Sequence, residues 1–290
     1  MATAENRVPV AKTYKIYIGG KFPRTESGRY FALHDARGRV IANLCRASRK
    51  DFRNAVVAAR KAFTGWSSAS AYLRGQILYR IAEMLEGRRD QFVDELQREG
   101  STPRSAANEV DASIDRLIHY AGWSDKYQQV FSAVNPVSSS HFNFSVPEPT
   151  GVVGILAPEQ PGLLGIVSNL APAIVGGNTV VLLASTSRPL SAVSFAEVLN
   201  DSDVPGGVVN LLTGYREELA SHFGLHMDVN AVVCCDDDEN LTRQLQIDAA
   251  ENLKRVILRG GESWSRSSGQ NPYLIRDTQE IKTTWHPVGR

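Results

Sequence analysis

Between Gly151 and Gly214 the chain alternates short, continuously apolar runs with longer segments of helical periodicity. The apolar runs, each typical of a buried strand, are Val152–Leu156, Thr179–Leu183 and Val208–Leu212. The segments between them, which predict helices, are Leu163–Val175 and Leu190–Leu199. Apolar strands that alternate with helices are typical of a parallel sheet covered on both faces. We therefore expect a Rossmann-like βαβαβ unit.

The same alternation continues after Gly214. It predicts a helix near Glu217–Phe223, a strand at Ala231–Cys235, a helix at Asn240–Ala250 and a strand at Leu253–Leu258. The predicted fold class is α/β: a Rossmann-like parallel sheet of about five strands with helices on both faces. Residues 150–264 are expected to form this core.

Residues 1–132 are predicted to add an N-terminal hairpin and helices to the same domain. Tyr14–Phe22 alternates apolar and polar positions around Gly19 and Gly20, as a hairpin does, and Val40–Cys45 predicts another strand. Helical periodicity follows, with Ser48 as the first N-cap and a long fourth helix at Ala106–Gln128.

Composition limits the possible partners. Lys and Arg number 32 against 31 Asp and Glu, so the net charge is +1 and no basic surface for nucleic acid is expected. The longest apolar segment, Leu163–Val175, is shorter than the roughly 20 residues that span a bilayer, so no membrane association is expected. The start of the chain lacks the charged and apolar regions of a secretory signal.

The three cysteines, Cys45, Cys234 and Cys235, do not make a disulfide framework, which fits a reducing compartment and predicts a cytoplasmic protein. We interpret them as small buried hydrophobic residues. A reactive Cys234 and Cys235 pair is disfavoured because the neighbouring acids, Asp236–Glu239, would raise the thiol pKa. These acids lack the spacing of a calcium loop, so we expect them to cap a helix and to bind no metal.

Several phrases together resemble the aldehyde dehydrogenase superfamily, in order and at its spacing. They are GVVGIL, LAPAIVGGNTVVL and DVPGGVVNLLTG in the sheet region, and HYAGWSDKY at His119–Tyr127. The resemblance is to a degenerate member, similar to the second module of the family-16-type aldehyde dehydrogenases. It implies a nucleotide-binding domain and a protruding β arm, formed by residues 133–149 and 271–290, through which subunits associate.

The resemblance also implies that a domain is absent. In the family, the strand corresponding to Leu253–Leu258 leads into a catalytic domain that carries the nucleophilic cysteine. Here a short polar linker, residues 265–270, connects the core to Asn271–Pro287, which is similar to the terminal arm strand. The arm residues expected to mediate oligomerisation are Phe142, Phe144, Ile275, Ile281 and Trp285. Ile275→Asp and Ile281→Asp together are expected to abolish assembly while the core stays folded.

By the same resemblance, the catalytic positions are degenerate. Arg259 stands at the general base, and a permanently protonated guanidinium does not abstract a proton from water. Gln160 replaces the asparagine that stabilises the oxyanion. No catalytic residue is therefore expected.

The positions that bind the cofactor in the family have also changed. Leu183 replaces the lysine on the adenosine ribose, and Thr186 replaces its acidic neighbour. Arg216 replaces a small residue that leaves room for the adenine in the family. Asp237 lies in an acidic turn where the pyrophosphate would bind. With Pro158 and Gln160, these residues form a vestigial cofactor site, so no cofactor is expected and NAD(P) enters by family analogy only.

The resulting hypothesis is a pseudoenzyme that acts as a regulatory or scaffolding subunit. Its arm would form a homo-oligomer or a hetero-oligomer, with a full-length aldehyde dehydrogenase as the candidate partner. Two alternatives are an NAD(P)-dependent aldehyde oxidoreductase and a nucleotide-binding sensor.

Overall fold

A computed structural model describes residues 10–35 and 37–289. The prediction of no secretory signal concerns mainly residues 1–9, which lie outside the described residues. The helices are α1 (Arg49–Ser67), α2 (Ala71–Glu86), α3 (Arg89–Arg98), α4 (Pro103–Trp123), α5 (Tyr127–Phe131), α6 (Gly162–Val175), α7 (Leu190–Asn200), α8 (Arg216–Leu225), α9 (Glu239–Ala250) and α10 (Tyr273–Arg276). The strands are β1 (Thr13–Tyr14), β2 (Tyr30–His34), β3 (Val40–Cys45), β4 (Ala133–Asn135), β5 (His141–Pro149), β6 (Val152–Leu156), β7 (Thr179–Leu183), β8 (Val209–Leu212), β9 (Ala231–Cys234), β10 (Arg255–Leu258) and β11 (Gln279–Pro287).

The central sheet has five parallel strands in the order β10-β9-β6-β7-β8, which confirms the predicted fold class. Successive side chains of a strand point to opposite faces, and those of β6 enter two separate apolar clusters. One cluster includes α6 and α7, with α2–α4 packed behind them. The other includes α1, α8 and α9. Every residue of β6 and α6 is buried, which explains why their sequences are apolar except at Ser168 and Asn169.

The amino-terminal segments differ in part from the prediction. Gly19 and Gly20 make a tight turn with positive φ, but only Ile18 and Lys21 pair across it. Tyr17 instead bridges Leu211, so this segment covers the β8 edge of the sheet rather than forming a hairpin. Ser48 caps α1 as predicted, in a capping box with Asp51.

The long fourth helix is divided in two. It ends at Trp123, and α5 begins at Tyr127 after a short turn. Tyr127 is buried against the core, which fixes this change of direction.

The β arm is a three-stranded antiparallel sheet in the order β11-β5-β4. Directly paired residues share a face, so the register places Phe142 and Phe144 on one face and Ile281 and Trp285 on the other. The five predicted arm residues therefore do not form one surface.

Ile275 is not an arm residue. It lies in α10, is 0% exposed and belongs to the core cluster beneath α6. The arm strand begins only at Gln279, because Pro272 and the following residues turn into a short helix first. The double substitution that includes Ile275→Asp would therefore disturb the core and would not test the arm.

Among residues 10–35 and 37–289, the helices are all too short or too polar to cross a membrane.

Candidate functional site

The loops that follow β6 and β9 lie at the carboxyl ends of these strands and enclose a cleft of about 220 Å³. We call it the edge cleft, after the carboxyl-terminal edge of the sheet. Parallel strands bring their carboxyl ends together, so ligands of such sheets bind at this edge. The structure brings five of the predicted site residues to this edge cleft: Pro158, Gln160, Arg216, Asp237 and Arg259. Leu183 and Thr186 do not line it. Leu183 is buried in the core, and the Thr186 hydroxyl donates to the Gly214 carbonyl.

Arg216 joins two carboxylates across the edge cleft. It begins α8, and its guanidinium lies 3.1 Å from Glu159 Oε1 and also pairs with Asp236 and the Ala157 carbonyl. Only 8% of its side chain is exposed. Burial raises the pKa of Glu159 and of Asp236, but hydrogen bonds from neighbouring residues and the charge of Arg216 outweigh burial and lower both pKa values. The three side chains form a stable ionic cluster.

Glu159 was missed as a functional residue by sequence reasoning. Its carboxylate accepts hydrogen bonds from the Thr186 amide at 3.1 Å and the Ser187 amide at 2.9 Å, and from the Ser185 hydroxyl. The signal in the sequence is the run of small donors at Ser185–Ser187 after β7, which can hydrogen-bond a partly buried carboxylate.

The acidic loop after β9 caps the next helix. Asp238 is the N-cap of α9, and its Oδ1 accepts the amides of Asn240 and Leu241, as the sequence predicts. Gly260 allows this loop to approach β10, since a Cβ there would lie 2.7 Å from the Asp236 carbonyl oxygen. Within the described ranges 10–35 and 37–289, no three His, Cys, Asp or Glu side chains are grouped to hold a metal ion.

Arg259, which the sequence predicts to replace a general base, is held as a buried structural cation. Its guanidinium donates to Asn169 Oδ1 at 2.8 Å and to Asp277 Oδ2 at 3.0 Å, and its side chain is 5% exposed. The two neighbouring cysteines are buried free thiols. Burial raises the pKa of Cys234 to about 11 and that of Cys235 to about 12, so both stay protonated near neutral pH.

A second cleft, of about 840 Å³, lies between the start of α4 and the start of α6. Buried Glu109 lines it, and its Oε1 accepts the amides of Leu163 and Leu164 at the start of α6. At the start of α7, the Leu190 amide donates to Glu99 Oε1 at 2.7 Å. Neither helix has a cap from its own N-terminal residues, so these carboxylates complete the two helices from outside.

Arg116 holds the connection between β10 and the arm. Its guanidinium is buried and donates to the Trp264 carbonyl at 2.9 Å, to the Gly269 carbonyl and to the Ser168 hydroxyl. Together with Arg259 on Asn169, it ties residues 259–277 to the polar side of α6. The predicted linker 265–270 contains a 3-10 turn at Ser267–Gly269 and is anchored at buried Gly269, while residues 265–268 are exposed.

Comparison with known proteins gives one consistent match. Residues 23–284 fit the model of the aldehyde dehydrogenase family. The chain is 30% identical over 279 residues to mitochondrial benzaldehyde dehydrogenase of Antirrhinum majus, covering 94% of this chain and 50% of that protein. It is 31% identical over 263 residues to D-glyceraldehyde dehydrogenase (NADP(+)) of Thermoplasma acidophilum, covering 90% of this chain and 51% of the relative.

Solved structures agree with these relatives. An NAD+ complex of aldehyde dehydrogenase from Bacillus cereus superposes with a TM-score of 0.81 at 27% identity, covering 86% of this chain and 51% of that chain. The chain spans about half the length of the curated relatives that it matches.

Proposed function

We propose, from the premise that this chain belongs to the aldehyde dehydrogenase family, that it acts by association rather than by catalysis, as a regulatory or scaffolding subunit. The observation that carries this proposal is the ionic cluster of Arg216, Glu159 and Asp236, which occupies the edge where a dinucleotide would bind. The candidate partner is a full-length aldehyde dehydrogenase, which would supply the active site.

The residues of the edge cleft do not fit NAD(P). At the start of α9, the amides of Asn240 and Leu241 already donate to Asp238, so they are not free for a phosphate. The adjacent Asp236 and Asp237 carboxylates would repel a pyrophosphate. No catalytic step is therefore assigned through this cofactor.

The remaining chemistry of the edge cleft supports the same proposal. Arg259 carries a permanent charge and is held by Asn169 and Asp277, so it does not act as a base. Cys234 and Cys235 are buried thiols with raised pKa values, which disfavours a nucleophilic role. Gln160 lines the same cleft as Cys235, whose raised pKa disfavours attack by its thiol.

The arm supports association. Phe142 and Phe144 stack at a centroid distance of 5.5 Å on one face, and 47% of Phe142 is exposed. They line an apolar depression of about 330 Å³ with Val134 and Val146. An exposed apolar patch of this kind is typical of a protein interface. We infer that this face pairs with the partner subunit.

The proposal is tested by the native mass of the chain purified from its own source, with light scattering and identification of every protein in the peak. Co-elution with a full-length aldehyde dehydrogenase is expected. Phe142→Asp with Phe144→Asp should release the partner while the circular dichroism spectrum stays unchanged. Elution of the unsubstituted chain alone, or an unchanged complex in the double variant, would refute assembly through this face.

The alternative favoured by the relatives is an NAD(P)-dependent aldehyde oxidoreductase, since a similar structure holds NAD+. Calorimetric titration of the purified chain with NAD+ and NADP+, followed by an assay of hydride transfer to each, distinguishes the two. Turnover would favour the oxidoreductase. Binding without turnover would favour a nucleotide-binding sensor.

We also propose a cytoplasmic location, because all three cysteines are buried free thiols, which suits a reducing compartment. Fractionation of cells that carry a tagged chain would test it.

A further inference from the structure

Strand β10 leaves one side of the central sheet open. In its ladder with β9, the amides of Arg255 and Arg259 donate to the Asn230 and Cys234 carbonyls, and Ile257 is paired with Val233. Alternate residues of a strand point their main-chain groups to opposite sides. The amide and carbonyl groups of Val256 and Leu258 therefore point away from β9, and within the described part of the chain no strand pairs with β10 on that side.

Beside this open strand lies a groove of about 910 Å³, which we call the edge groove. Val256 and Ile257 line one side, and the arm face that carries Ser145 and Ile281 lines the opposite side. Since Ile281 is 50% exposed, the groove presents uncovered apolar surface between two strands. Residues of β10 and of the arm thus line the same groove.

The charges of the edge groove do not cancel. Arg255 pairs with Glu280 at 3.0 Å, and Asp277 pairs with Arg259. Arg276 has no acidic partner among the described residues, and its guanidinium lies 5.1 Å from the ring centroid of Tyr273 and 5.8 Å from that of Phe131. These rings hold a positive charge at the groove in a fixed place.

We propose that the edge groove binds an extended segment of a partner polypeptide, which adds a strand to β10 and places a carboxylate against Arg276. Main-chain groups of Val256 and Leu258 supply the hydrogen bonds, and alternate apolar side chains of the segment pack on Ile257 and Ile281. The charge of Arg276 selects an acidic segment over a basic one. This binding is independent of the proposed subunit role, which uses the opposite arm face at Phe142 and Phe144.

The test uses the full chain, isotopically labelled for amide spectroscopy, and a short capped peptide of alternating Thr and Val residues with one central Glu. On titration, the Val256 and Leu258 amides should shift and exchange more slowly with solvent. A peptide with central Lys should bind about tenfold more weakly, a difference that corresponds to 1.4 kcal/mol. A peptide methylated on alternate main-chain nitrogens should lose binding, because it cannot complete the ladder.

Arg276→Gln should remove the preference for Glu over Lys, and Arg243→Gln, an exposed substitution on α9, should leave it intact. The proposal is overturned if the two β10 amides do not respond at millimolar peptide, or if main-chain methylation leaves the affinity unchanged. Loss of partner assembly in the Phe142 and Phe144 variant has no bearing on either result.

Discussion

Glu99 is a carboxylate whose surroundings favour its neutral form. Burial raises its pKa from 4.5 to about 8, against a lowering contribution from the Leu190 amide, and the charge of nearby Glu95 raises it further. Glu95 and Glu109 have raised pKa values for the same leading reason, burial. Glu99, which follows α3, therefore keeps its proton to a higher pH than it would in the unfolded chain, and the pKa values of Glu95 and Glu109 shift in the same direction.

The contribution of Glu99 to stability should consequently fall as the pH rises. A carboxyl whose pKa is higher in the folded chain contributes fully below the unfolded value of 4.5, and this contribution is lost as the pH rises toward about 8. Denaturant unfolding at pH 5 and at pH 8 measures the decline in unfolding free energy to which Glu99 contributes. In Glu99→Gln, which stays neutral and keeps an acceptor for Leu190, the decline should be smaller. An identical decline in both proteins would contradict this assignment.

Among single residues, the sequence predicts contacts between near neighbours in the chain but not contacts between distant residues. The Ser48 and Asp238 caps depend on donors within three residues, so sequence spacing reveals them. The pairing of Arg216 with Glu159 joins loops after two different strands, and no local pattern encodes it. The sequence therefore indicates that a dinucleotide site has changed, but not that the new residues satisfy one another.

At the scale of the elements, the start of α6 is capped by a residue outside the helix, Glu109. Glu109→Ala removes the acceptor for two amides at its start and should cost about 1–2 kcal/mol of unfolding free energy. Glu109→Gln keeps an oxygen acceptor at the same position and should restore most of the loss. Chemical denaturation of the three proteins in parallel gives the comparison. Equal losses for Ala and Gln would mean that shape or charge, rather than the accepted hydrogen bonds, stabilises the helix.

Ile275 and Ile281 look alike in the sequence, but the structure places Ile275 in α10 and Ile281 in β11. Ile275→Asp buries a carboxylate in the core and should destabilise the chain by several kcal/mol, about the cost of an unpaired buried charge, or prevent folding. Ile281→Asp changes a half-exposed arm residue and should alter thermal stability little. Melting curves of the two single variants test this, and a comparable drop in both would contradict the assignment of Ile275 to the core.

The sequence predicts β6–β8, α6 and α7 within a few residues because their apolar runs are almost wholly buried. Short α10 was not, since Asn271–Pro287 contains one turn of helix within an alternating pattern. Alternation alone also does not tell which arm residues share a face. That information comes from the register between β5 and β11.

At the scale of the whole molecule, the joint between the core and the arm depends on buried Arg116, which pairs with no carboxylate within residues 10–35 and 37–289. Arg116→Met keeps an unbranched apolar stem but removes the guanidinium, so the Trp264 and Gly269 carbonyls lose their donor. We expect a loss of about 2–3 kcal/mol and new protease cleavage within residues 265–270. Arg104→Met, an exposed substitution on the same helix, is the matched control. Unchanged cleavage in Arg116→Met would mean that the joint is held by other contacts.

The position of β5 and β11 in the chain also determines when the arm forms. β5 directly precedes the first strand of the central sheet, and β11 follows the last one, so their pairing closes a loop that contains the entire sheet. Closing so long a loop costs chain entropy, and this cost is smaller once the core between the two strands is already compact. The arm should therefore assemble after the folding transition state, and substitutions in it should accelerate unfolding while leaving the refolding rate nearly unchanged.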